Sequence, residues 1–138
     1  MPDWASLRDA YGSAEQGPAL LAAAERAGTG DLSPWTDLWG RLCHQGTVYR
    51  ASYAALPTLA TMSLRHAAGG YSPALHLAAA VIASTDGPED PTLVRRRYEH
   101  EIADLRTMAT ANLQHAADDT EELLLDFDDS PVTVASFR

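Results

Sequence analysis

The chain has 138 residues and a mass of 14.8 kDa, one domain's worth of protein, and 46% apolar with 21% charged residues excludes wholesale disorder. Nineteen acids against ten bases give a net charge of -9, which excludes a phosphate backbone, and so nucleic acid, as the natural partner. No window approaches the ~18 consecutive apolar residues of a membrane span, and the opening Met1-Pro2-Asp3-Trp4 lacks a signal-peptide pattern, so no membrane association and a cytoplasmic location are expected.

In chain order, Trp4, Leu7 and Tyr11 predict a short leading helix. Gly17-Pro18 opens a helix through about Ala27, which Gly28-Thr29-Gly30 ends. Ser33 then caps a second helix with Pro34 at its first position, running to about Cys43. On it Trp35 and Trp39 share a face with Leu38 and Leu42, the pattern of core packing. A third helix is expected from Tyr49 to Ala68, bent at Pro57, before Gly69-Gly70 turns the chain. Ser72-Pro73 starts a fourth that ends near Ser84.

After a turn cluster over 86–91 comes the longest predicted helix, about 91–116. Val94, Tyr98, Ile102, Leu105, Ala109, Leu113 and Ala116 line one of its faces. Arg95 with Glu99 and Arg97 with Glu101 form i,i+4 pairs on the solvent side. A short helix over Glu121 to Phe127 follows. Strand alternation appears only at Val132-Thr133-Val134, too short to carry a sheet.

Sliding the chain by 39 residues pairs Ser13 with Ser52, Pro18 with Pro57, Leu20 with Leu59 and Arg26 with Arg65. It also pairs Gly30 with Gly69, Ser33 with Ser72, Pro34 with Pro73 and Leu38 with Leu77. Turn residues and apolar positions agree at one offset, so each copy reads as a helical hairpin. A unit of this size, about 40 residues, is that of a HEAT repeat, and it cannot bury its apolar face without neighbours. The expected fold is all-α, a short HEAT-like α-solenoid over residues 1–129 with a tail at 130–138. Its repeats span about 13–46 and 52–85, followed by the long helix and an acidic end at 118–129.

The segments Tyr11-Gly12-Ser13-Ala14 through Pro18-Ala19-Leu20-Leu21, then His44-Gln45-Gly46-Thr47-Val48-Tyr49 and Leu56-Pro57, carry a resemblance. They resemble actinobacterial HEAT-repeat proteins with a "YGSA…PALL" opening and an "HQGT.Y.A" joint, over roughly residues 4 to 65. That family has no agreed reaction. The resemblance implies a binding surface, in some bacterial cases an immunity protein that blocks a toxin.

His44-Gln45-Gly46-Thr47 has two readings. In one, Gly46 ends a helix in the left-handed conformation, Thr47 caps the next, and His44 and Gln45 bond the last carbonyls. In the other, His44, Gln45, Thr47, Tyr49 and Tyr53 form a polar binding site on an inter-repeat edge. Cys43 falls opposite Ile82 in the repeat register and reads as a small core residue. Adjacency to His44 does not make it a nucleophile, because helical neighbours point about 100° apart. Phosphate loops, nucleophile elbows and dinucleotide fingerprints are absent, and no histidine has metal-ligand spacing, so neither a cofactor nor a metal is expected.

The sharpest feature is a run of seven acids without a base over 118–129. It holds Asp118, Asp119, Glu121, Glu122 and Asp126 and is interrupted by Leu123, Leu124, Leu125 and Phe127. Without it, the remaining 12 acids and 10 bases leave a net of only -2. Such composition suits steering of a basic protein partner followed by apolar burial. The expected function is a non-enzymatic protein-binding module of immunity or antitoxin type. The alternative is a small ligand-binding protein or enzyme using His44, Tyr49 and Tyr53, and a homodimer through exposed leucines is a third reading.

Overall fold

Proline and glycine set the helix ends. The computed structural model describes residues 2–65 and 71–113. A 3-10 turn, Trp4–Ser6, leads into a hairpin of β1 (Arg8–Asp9) and β2 (Gly12–Ser13). Helices α1 (Gly17–Ala27) and α2 (Ser33–Leu42) follow, then a second hairpin of β3 (Cys43–His44) and β4 (Thr47–Val48). Then come α3 (Arg50–Arg65), α4 (Pro73–Ala83), α5 (Pro91–Arg97) and α6 (Glu99–Leu113). The described residues are thus mostly helical, with two small antiparallel sheets. Each of α1, α2, α4 and α5 has proline in its first two positions, where the missing N–H costs nothing. Among the described residues no helix is long and apolar enough to cross a membrane.

The core is built around α3, which packs most extensively against α4 and α6, while α1 packs on α2 and on α3. Leu38, Leu56, Leu59, Leu75, Leu77 and Leu105 are its largest fully buried side chains. Positions related by the 39-residue offset share burial where both face inward: Leu38 with Leu77, Leu42 with Val81, Cys43 with Ile82. Arg65 closes a bidentate ion pair on Glu25, joining the ends of α3 and α1 with Nη2 2.6 Å from Oε2.

Several expectations are corrected. The leading helix is instead a single 3-10 turn and a hairpin, because the Asp9 carboxylate accepts the Tyr11 N–H at 2.8 Å and Gly12 takes φ +127°. Trp4 and Leu7 still pack on the core, whereas Tyr11 is 65% exposed. Ser33 lies inside α2 and caps nothing; its N–H donates to Asp31 Oδ1 at 3.0 Å. Ser72 does cap α4, accepting from the Leu75 N–H at 3.3 Å. The long helix breaks at Tyr98, whose backbone leaves the helical region at φ -106°, ψ 28°. Hydrogen bonds from Tyr98 to Val94 and from Ile102 to Tyr98 bridge the break, so Val94, Ile102, Leu105 and Ala109 keep one buried face. Arg97 turns back to Glu89 (2.6 Å), eight residues earlier, rather than forward to Glu101. The expected helix over 121–127 and strand-like 132–134 lie outside the described residues.

Candidate functional site

The four residues 44–47 form neither a helix end nor a helix start. They close the β3–β4 hairpin, with Cys43 opposite Val48 and His44 opposite Thr47. Gln45 and Gly46 occupy the turn at φ +52° and +86°, the left-handed pair that a two-residue hairpin loop requires. Gly46 therefore does supply a left-handed position, but to a hairpin. Thr47 caps no helix; its hydroxyl donates to Asp86 Oδ2 at 2.6 Å. The start of α3 is satisfied by Ser52, whose hydroxyl accepts the Tyr49 N–H at 2.8 Å and donates to the Leu42 carbonyl.

The joints between helix pairs are hydrogen-bonded to one another. The Ala10 N–H, in the first hairpin's turn, donates to the Arg41 carbonyl just before the second hairpin (2.9 Å). The Val48 N–H donates to the Asp86 carbonyl (2.9 Å), and the Ser84 hydroxyl to the Gly46 carbonyl (2.6 Å). Side chains gather around this line. Arg41 reaches the buried Asp9 carboxylate at 3.4 Å and Asp37 at 3.3 Å, with its guanidinium 5.3 Å from the Tyr11 ring centroid. His44, half-buried, meets the same ring edge-on at 5.9 Å. Thus the Tyr11 and His44 side chains, from the two hairpins, meet each other. A π contact does not make His44 a general base, and burial pushes the neighbouring Cys43 thiol up, away from nucleophilic use.

Tyr49 is half-buried and Tyr53 buried. Tyr53 lines a depression of about 240 Å³ with Arg50, Glu89, Arg97 and Tyr98. Burial raises its phenol, the Glu89 backbone opposing. Arg97 holds the Glu89 carboxyl below the usual range, and Gly87 lies close enough that a Cβ there would stand 2.7 Å from Val48 Cγ2. Of the five residues expected on one edge, His44 faces Thr47 across the hairpin and Thr47 binds Asp86. The Tyr53 hydroxyl lies against the place where a Cβ on the next residue, Gly87, would sit, while Tyr53 also lines the arginine-bearing depression. Asp118, Asp119, Glu121, Glu122 and Asp126 lie outside the described residues.

A third feature was not expected. Leu32, Trp35, Thr36, Trp39, Gly40, Tyr71 and Pro73 line a groove of about 360 Å³ on the outer side of α2. Trp35, Leu38 and Leu42 are buried as predicted, but Trp39 is 38% exposed, Leu32 44% and Tyr71 51%. Tyr71 is held by the His76 ring at 4.9 Å. The Tyr11 hydroxyl stands 3.5 Å from where a Cβ on Gly40, one of the lining residues, would sit. The helical spacing of Trp39 holds the one available signal. At about 100° per residue it falls at the edge of the stripe formed by Trp35, Leu38 and Leu42.

No protein-family model, no curated protein and no solved structure matches this chain.

Proposed function

We propose that the chain is a HEAT-like, non-enzymatic protein-binding module, of immunity or antitoxin type, that masks a basic partner. The observation that carries this reading is the groove on α2. Large aromatic and aliphatic side chains stand uncovered around one concave surface there, as in the buried centre of protein interfaces. A stack of helical hairpins is supported by the matched burial at the 39-residue offset and by the hydrogen-bonded line of joints. A basic partner is favoured by the net charge of -9 and the acidic run over 118–129, which would steer its approach.

Co-expression with the products of adjacent genes tests the reading. A complex is expected to elute as one species at low salt and to weaken as salt shortens the screening length from about 10 Å at 0.1 M to about 3 Å at 1 M. Elution of the chain alone with every neighbouring product would overturn it.

A further inference from the structure

Among the described residues, the indole nitrogen of Trp35 is the only enclosed side-chain nitrogen or oxygen without a hydrogen-bond partner. The residue is just 7% exposed. A buried N–H that has given up water and found no acceptor is disfavoured, and native structures keep few of them. An indole can only donate, so what Trp35 lacks is an acceptor.

Trp35 lines an open cleft of about 180 Å³ where the ends of α1 and α3 meet the starts of α2 and α4. Ala24, Met62 and Pro73 add to its apolar walls, and Glu25 and Arg65 are the charged residues of its lining. An apolar cavity of ~150 Å³ holds a benzene ring, so the cleft has room for one ring with a small substituent. Glu25 and Arg65 already satisfy each other through three contacts of 2.6, 2.8 and 2.9 Å. A bound anion would face the Glu25 carboxylate and a bound cation the Arg65 guanidinium, so neither sign of charge is favoured. Water alone would serve the indole but leave the apolar walls wet.

From this we infer that the cleft is a binding site for a small neutral molecule, one ring in size, whose carbonyl oxygen accepts the Trp35 indole N–H. Amides and lactams have this chemistry. The ring lies against Ala24, Met62 and Pro73. Binding of a protein partner does not depend on this site and stands or falls separately.

Benzamide is the probe, titrated into the nitrogen-15-labelled full chain while the indole N–H resonances of its three tryptophans are followed. Trp35→Phe identifies the Trp35 resonance by its loss. Because Trp35 also lines the α2 groove, Trp39 serves as that groove's own reporter. Benzamide is expected to move the Trp35 resonance saturably, with a dissociation constant of ~1 mM for so small a ligand. Toluene keeps the ring and lacks the carbonyl, while benzoate and benzylamine each carry a charge; all three should bind several-fold more weakly. Trp35→Phe removes the N–H and keeps an aromatic ring. It should weaken benzamide about tenfold, read from the backbone amides of Gly28 and Thr29, and leave toluene little changed. A circular dichroism melt checks that the variant is folded, and if it is not, the titration of the unaltered chain decides. A Trp35 resonance that stays in place would mean that the cleft holds water only, and movement of Trp39 alone would put the ring in the α2 groove; either overturns the inference. Toluene or benzoate binding as tightly as benzamide, or a folded Trp35→Phe chain with undiminished affinity, would overturn it as well.

Discussion

Ser52 is fully buried, and its hydroxyl serves two helices at once. It donates to the carbonyl of Leu42 at the end of α2 and accepts the N–H of Tyr49 ahead of α3. Both backbone groups would otherwise be orphans of helix termini, the Leu42 carbonyl in a buried contact and the Tyr49 N–H in a part-buried one. Ser52→Ala removes little volume but leaves the two without partners. With roughly 1–3 kcal/mol for each buried unsatisfied group, the expected loss of stability is about 2 kcal/mol or more, read as a lower urea midpoint with unchanged slope. A midpoint equal to that of the unaltered protein would mean that water reaches the site and the hydroxyl is dispensable. The same residue shows why Thr47 is no cap: at the third position of the helix, serine reaches back to the entering N–H and leaves Thr47 free to bind Asp86.

At the scale of elements, the hairpins mark the limit of what the sequence discloses. Helices α1, α2 and α4 are legible because glycine and proline impose backbone angles that depend on no neighbour. The hairpin at 43–48 is not, since its turn is Gln45-Gly46, and the turn signal normally sought is Asn-Gly or Asp-Gly. Gln45 is the only non-glycine residue with positive φ among the described residues, at +52°, a conformation costing an L-residue roughly 1–2 kcal/mol. It is tolerated because the flanking strands and the Ser84 hydroxyl on Gly46 hold the turn. Asparagine visits that region more readily. Gln45→Asn is therefore expected to raise the thermal midpoint, by up to about 1 kcal/mol in stability, with the spectrum unchanged. A fall would place the Gln45 side chain in a contact that the turn geometry does not reveal. The groove escaped prediction for a different reason. Periodicity locates the centre of an apolar stripe but does not say how much of it a neighbour covers, and Trp39 lies at the uncovered edge.

At the scale of the whole molecule, burial is distributed unevenly between α1 and α3, the helices that the proposed repeat would make equivalent. α3 carries Ala51, Ala55, Leu56, Leu59, Ala60 and Met62 among its buried residues and packs against helices on several sides, whereas α1 buries only Leu21 and Ala24. In a stack whose stability is a sum of unit and nearest-neighbour contributions, a unit with little buried surface opens without the rest. The Glu25–Arg65 pair tying α1 to α3 does not alter this, because both side chains are substantially exposed, 39% and 58%, and such pairs contribute at most about 1 kcal/mol. Native-state hydrogen exchange at low urea should therefore separate the two. Amides of α1 are expected to exchange through a partial opening with shallow urea dependence. Those of α3 and α4 should exchange only with global unfolding, at the full denaturation slope. If α1 and α3 shared one opening energy and one slope, the helix pairs would be a single cooperative body, and the additive stack would be the wrong description of how this chain holds together.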